Sequence, residues 1–277
     1  MRGDCDGFLE LYELKWNESI SSQAARTLYR KKHNHVLRLP LTEDITTLSQ
    51  FLQGAGKETR DKLNEGTDDK YVPELWRRLA EISLSKIILF NRRRQGEASK
   101  MLVTDYTERA NTTSDDISRS LSKFEQALCR ALIRIEVIGK RGRVVPVLLT
   151  SEMSESLQVL LKYREKAGVA LGNVFMFAIN HSHSAGHSRG SDCLKKHSTE
   201  AGLKHPENVS STKLRKHIAT MTQLFNLKDH EMDLVAQYMG HDIRIHREYY
   251  RLPSSTLQLA KVSKILVAMD SGAACWS

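Results

Sequence analysis

The sequence predicts a mostly helical protein with one small antiparallel sheet, an α+β architecture. Three observations predict it. Apolar residues recur at helical spacing in several long segments, as in Leu75, Leu79, Ile82 and Ile87. One stretch only, "LIRIEVIGKRGRVVPVLL" from Leu132 to Leu149, alternates and is rich in β-branched residues. The chain of 277 residues has no internal repeat and no long low-complexity tract, and it is long enough to bury a real core.

Taken in order, residues 18–37 read as a helix with a basic end at Arg30, Lys31 and Lys32. Pro40 then breaks the pattern, and Thr42 with Glu43 and Asp44 marks a new start, acids sitting at the positive end of the helix dipole. The main boundary falls there, dividing residues 1–38 from 39–277. The first part is too short for an independent domain. Val72 to Phe90 is a mostly buried helix, ending in "NRRRQGEASK". The alternating stretch is a β-hairpin whose turn is "GKRG". Ser151 to Gly168 is a helix closed by glycine. A polar, His-rich loop runs from Asn180 to Arg189. Helices follow near 190–201, 211–226 and 228–239, then a short one carrying Tyr249 and Tyr250, and a last one over roughly 255–269 with Leu259, Val262, Leu266 and Met269 on one stripe. "VFMFAIN" (Val174 to Asn180) reads as a core segment.

Composition narrows the function. Lys and Arg number 42 against 33 Asp and Glu, a formal balance of +9 that points to a polyanionic partner, nucleic acid before membrane. No apolar run is long enough to span a bilayer, and no apolar segment near Met1 resembles a secretory signal, so neither a membrane nor export is expected. Four cysteines lie scattered without CxxC spacing and read as reduced thiols of a nuclear or cytosolic protein. His181, His183, His187, Cys193, His197 and His205 have no paired spacing that matches a structural zinc site, so no metal is expected.

Two stretches carry chemistry. In "SSTKLRKHIATMTQLF", Leu214, Ile218, Met221 and Phe225 form a core stripe, and Ser210 or Ser211 can cap the start. Thr212 and Arg215 lie three apart near that N-terminus, where free N–H groups favour an anion and an Arg fork suits a phosphate. In "MGHDIRIHREYYRLP", His241 and Tyr250 are nine residues apart, on opposite faces of any straight helix. Gly240 offers the break that lets them converge.

These segments, in order from about Leu39 onward, resemble the catalytic domain of the tyrosine recombinases, the phage-integrase family. "RQGE" resembles the first-arginine box and aligns Arg94 with its arginine and Glu97 with its acid, leaving Arg92 and Arg93 out of register. "GKRGRVVP" resembles the hairpin box and aligns Lys140 with its lysine. "TKLR" aligns Arg215 with the second arginine but has Thr212 where the family has His. "MGH" aligns His241, and the nine-residue interval then selects Tyr250 over Tyr249 as nucleophile. More narrowly, these stretches resemble the recombinases of Crypton-type DNA transposons of animals.

The resemblance implies cleavage and rejoining of double-stranded DNA through a 3′-phosphotyrosyl intermediate, with neither metal nor nucleotide cofactor. It also implies a homo-oligomer, a tetramer on DNA, and a nuclear location. Arg94, Arg215 and His241 would bind the phosphate, and Lys140 would protonate the leaving 5′-oxygen. Thr212 cannot act as a base near neutral pH; Lys216 and His217 lie near in sequence, though helix geometry disfavours His217. Residues 1–38 would be a remnant of the family's N-terminal core-binding domain and linker. Two other classes compete with the strand-transfer enzyme: a catalytically weak or inactive domesticated DNA-binding or chromatin protein, and a type IB topoisomerase, which "HREYYRLP" disfavours.

Overall fold

The computed structural model describes residues 38–109, 122–139, 142–222 and 229–239, together with 21–33 and a few earlier positions. The chain divides into two compact units, residues 1–38 and 39–277. In the first, helix α1 (Ser22–His33) occupies the middle of the helix expected over 18–37.

The second unit is built around one buried helix. Helices α2 (Thr42–Asn64) and α3 (Val72–Asn91) pack side by side, with Glu43 and Asp44 in the first turn of α2. Pro73 stands in the first turn of α3, where its missing N–H costs nothing. Trp76, Leu79, Leu84, Ile87 and Ile88 are fully enclosed, while Leu75 is only half-buried. α3 has neighbours on several sides, so its apolar residues exceed one stripe. The indole N–H of Trp76 donates to the Leu160 carbonyl at 2.8 Å.

Two short helices follow, α4 (Gln95–Ser99) and α5 (Val103–Thr107), then α6 (Lys123–Ala131) with Ser122 as its cap. The hairpin pairs β1 (Leu132–Ile138) with β2 (Val144–Thr150) in antiparallel register, Ile135 opposite Val147 and Val137 opposite Val145. Those four are buried, while Arg134 and Glu136 face out and pair at 2.7 Å. The period of two thus sorts the strand into a core face and a wet face. Thr150 ends β2 and caps α7 (Ser151–Lys162).

α7 stops earlier than its expected end at Gly168. Residues 163–168 form turns instead, because Arg164 swings its guanidinium onto the Phe175 and Asn173 carbonyls; Gly168 closes the turn at φ 78°. In "VFMFAIN" the core reading holds for Met176, Phe177 and Ala178, while Val174 and Ile179 are exposed. Helices α8 (Gly190–Glu200), α9 (Ser211–Met221) and α10 (Asp229–Tyr238) complete the described fold. The tyrosine-bearing segment and the stripe over 255–269 lie outside the described residues. Among the described residues no helix is long and apolar enough to cross a membrane. Among them, too, no three His, Cys, Asp or Glu side chains gather as a metal site, and Cys5, Cys129 and Cys193 are free thiols.

His197 is a core residue, its Nδ1 2.9 Å from Ser85 Oγ between α8 and α3. Burial pushes its imidazole below the ordinary value of 6.5. The unfolded chain therefore takes up this proton first, so stability is full above about pH 6.5 and falls as pH drops through the folded value. Urea midpoints of the parent and His197→Gln between pH 7.5 and 5 are expected to show a shallower acid loss in the variant. Parallel curves would mean that His197 stays neutral in both states or charges equally in both.

Candidate functional site

The end of α3 determines how three consecutive arginines are used. Asn91 closes the helix, and Arg92 adopts the left-handed region at φ 53°, reversing the chain. Arg93 is thereby turned inward and is 1% exposed. Its Nη2 donates to the Pro146 carbonyl at 2.7 Å, and its guanidinium lies 4.2 Å from the Tyr238 ring centre. Arg94, next along, stands in extended conformation before α4 with its side chain 41% exposed. Its Nη1 donates to Glu97 Oε1 at 3.0 Å. The other Glu97 oxygen is buried with no hydrogen-bond partner among the described residues.

Arg94 opens onto a groove of about 1070 Å³. One wall is α4, with Arg94 and Glu97. A second is the start of α9, with Ser210, Ser211, Thr212 and Arg215. The hairpin end closes a third side through Ile138 and Gly139, and Lys100 and Phe175 line the rim. Ser210 is the α9 cap, accepting from the Lys213 N–H, so the positive end of the α9 dipole also faces the groove. The groove therefore brings together two guanidinium groups and a helix N-terminus, an arrangement suited to a phosphodiester.

Arg215 is not a surface arginine. It is 4% exposed, and its Nη2 donates to the Met239 carbonyl at 2.7 Å. Met239 is fully buried at the end of α10, two residues before His241 in the chain. Thr212, one turn before Arg215, is exposed in the groove. His217 lies elsewhere. Five residues at 3.6 per turn separate it from Thr212 by about 140°, and it lines a second cavity with Arg92, Ile218 and Met221. Burial and the Arg92 charge push its imidazole down. Helix geometry thus removes His217 as a stand-in base for the first groove.

Of the six residues singled out in the sequence, Arg94, Thr212 and Arg215 share this groove. Lys140, His241 and Tyr250 lie outside the described residues. The hairpin end reaches the groove because residue 139 has no side chain. A Cβ there would stand 2.6 Å from Val145 Cγ2 and 3.3 Å from Glu97 Oε1. Gly139→Ala is therefore expected to push the turn away from α4 and cost about 1–3 kcal/mol. A thermal melt would register this; a parental melting temperature would show that the turn has slack.

No protein-family profile matches the sequence, and no curated protein matches it. Solved structures do match. The crystal structure of the XerH site-specific recombinase bound to palindromic difH substrate, a post-cleavage complex, aligns with a TM-score of 0.50 at 21% identity, over 82% of this chain and 53% of that one. The XerH pre-cleavage complex with difH substrate aligns with a TM-score of 0.47 at 20% identity, over 83% and 55%. The chain spans about half the length of the XerH chains it matches. The first alignment establishes the architecture: this mostly helical unit with its two-stranded sheet has the tyrosine recombinase catalytic fold.

Proposed function

We propose that the protein cleaves and rejoins double-stranded DNA by tyrosine recombinase chemistry. The observation that carries the reading is the groove in which Arg94 and Arg215 meet the N-terminus of α9, in a fold shared with a site-specific recombinase. A backbone phosphate in the groove would receive both guanidinium forks. The Tyr250 oxygen, its proton released to solvent, attacks phosphorus as the bond to the 5′-oxygen breaks. This leaves a 3′-phosphotyrosyl link and a 5′-hydroxyl, whose proton comes from Lys140. A second 5′-hydroxyl then attacks the same phosphorus, joins the new strand and returns the tyrosine. Covalent catalysis splits a hard displacement into two easier ones and conserves the bond, so nothing in the cycle calls for ATP. Arg94, Arg215 and His241 stabilise the charge that develops on the non-bridging oxygens. Incubation with nicked suicide DNA substrates tests the reading; it requires a denaturant-stable protein–DNA adduct, and the absence of one at any pH would reject it.

The finer reading is a recombinase of an animal Crypton-type transposon, nuclear, acting as a homo-tetramer on DNA. In it residues 39–277 are the catalytic domain and residues 1–38 belong to the segment that precedes it. The motifs "GKRGRVVP", "STKLRKHIAT" and "HREYYRLP" support it.

A second reading, a DNA-binding protein with weak or no cleavage, is favoured by Thr212. A hydroxyl in the groove cannot hold the tyrosine proton near neutral pH. General-base help is worth about 100- to 10,000-fold, whereas the charge stabilisation would survive without it. Cleavage is therefore expected to be slow and to speed up as pH rises toward the tyrosine range. Thr212→His should raise the neutral-pH rate, by up to about 100- to 10,000-fold. Single-turnover cleavage across pH by both proteins decides it. Identical profiles would mean that Thr212 is not at the base position or that Lys216 already fills the role.

A further inference from the structure

We infer that Asn91, Arg93 and Tyr238 form a polar node, buried at Asn91 and Arg93 and half-buried at Tyr238, that sets the relative positions of the Arg93–Arg94 corner, the hairpin and α10, and so act as positioning residues for strand cleavage. The inference rests on the recombinase reading above but concerns residues that reading leaves unused.

Each member of the node bridges separate elements. Asn91 ends α3 and reads the free edge of β2 as a strand would. Its Nδ2 donates to the Leu148 carbonyl at 2.8 Å, and its Oδ1 accepts from the Leu148 N–H at 2.7 Å. The same Oδ1 accepts from the Tyr238 hydroxyl at 2.6 Å, which ties in the last residue of α10. Arg93 repeats the pattern, donating to the Pro146 carbonyl of β2 while its guanidinium lies over the Tyr238 ring. Three arms therefore meet at one point. Arg94 follows Arg93 directly, β2 belongs to the hairpin whose turn segment carries Lys140, and α10 leads through Met239 to His241.

The choice of polar groups is informative. Burial lowers the basicity of Arg93, and its Nε has no hydrogen-bond partner among the described residues. Burial likewise raises the Tyr238 hydroxyl. If the arms needed only to adhere, apolar side chains of similar volume would serve as well, since a buried charge is often neutral or worse for stability. Hydrogen bonds differ from apolar packing in being directional. They fix how far β2 and α10 stand from the Arg93–Arg94 corner, and misplacement of reacting groups by about 1 Å costs on the order of 100-fold in rate.

The test separates position from stability. Arg93→Met keeps volume and removes the bond to β2. Tyr238→Phe keeps the ring over Arg93 and removes the bond to Asn91. Both are assayed for DNA affinity, urea midpoint and single-turnover cleavage at saturating DNA. One nicked substrate is ordinary; the other has a 5′-bridging sulfur, whose thiolate leaves without a proton from the hairpin lysine. Parental affinity is expected, with the midpoint lowered in Arg93→Met by the Pro146 carbonyl left without its donor and near the parent in Tyr238→Phe, and with cleavage of the ordinary substrate by the folded variants down by about 10- to 100-fold. The Arg93→Met defect should shrink on the sulfur substrate, because it loosens the hairpin arm, while the Tyr238→Phe defect should persist on both. Folded variants that cleave at the parental rate would overturn the inference, as would defects of equal size on both substrates for both variants. Should Arg93→Met fail to fold, Tyr238→Phe decides alone, by its rate on the ordinary substrate. A parent protein that forms no adduct with either substrate would reject the recombinase reading itself, and this inference with it.

Discussion

Tyr250→Phe is expected to abolish the covalent protein–DNA adduct, while Tyr249→Phe leaves most of it. In the proposed reaction the phenolic oxygen is the nucleophile, and phenylalanine offers no atom that can bond to phosphorus. No neighbouring group can rescue the step unless the register is wrong, so the loss is total rather than graded. The register comes from the nine-residue interval between His241 and Tyr250, and both tyrosines lie outside the described residues. The measurement is a denaturing gel of a nicked suicide substrate, followed by mass spectrometry of the adducted peptide. An adduct mapped to Tyr249 would shift the nucleophile by one residue.

Arg215→Ala is expected to lower single-turnover cleavage by about 100- to 1000-fold, the usual loss when one preorganised donor to a developing oxyanion is removed. Arg215 has a second role that raises the stake. Its guanidinium is buried and holds the Met239 carbonyl, so alanine leaves a buried acceptor unsatisfied at a cost of about 1–3 kcal/mol. The two effects are separable. Arg215→Lys retains a charge without the planar fork, and should recover part of the stability while remaining far below the parent in rate. DNA affinity is expected to change little beyond one phosphate contact, visible as a slightly smaller salt slope. Urea midpoints, salt-dependent binding and cleavage on the same preparations check all three. An Arg215→Ala protein that cleaves at the parental rate would remove Arg215 from the phosphate site.

Much of the fold is legible locally. The alternation from Leu132 to Leu149 and the buried helix from Val72 describe their elements almost to the residue, because each period reports which side of its own segment faces the core. The exceptions have tertiary causes. α7 ends at Lys162 rather than Gly168 because Arg164 is drawn to carbonyls at 173 and 175, and the ends of "VFMFAIN" are exposed because only its centre has neighbours.

The candidate site divides in the same way. "RQGE", "GKRGRVVP", "TKLR" and "MGH" are short strings of fixed spacing, so the sequence by itself determined their resemblance to the recombinase boxes, and through it the candidates Arg94, Lys140, Arg215, His241 and Tyr250 and the departure at Thr212. What "NRRRQGE" does not say is where each arginine points. Only the tertiary structure decided that, sending Arg93 inward against Pro146 and Tyr238 and Arg94 out into the groove. It also decided that Arg215 is buried and that His217 faces a different cavity. The physical reason is that an arginine's environment is set by partners some 20 to 150 positions away, at residues 146 and 239 or, for Asn91, at 238. Those partners arrive through packing of the whole domain, which local periodicity does not encode.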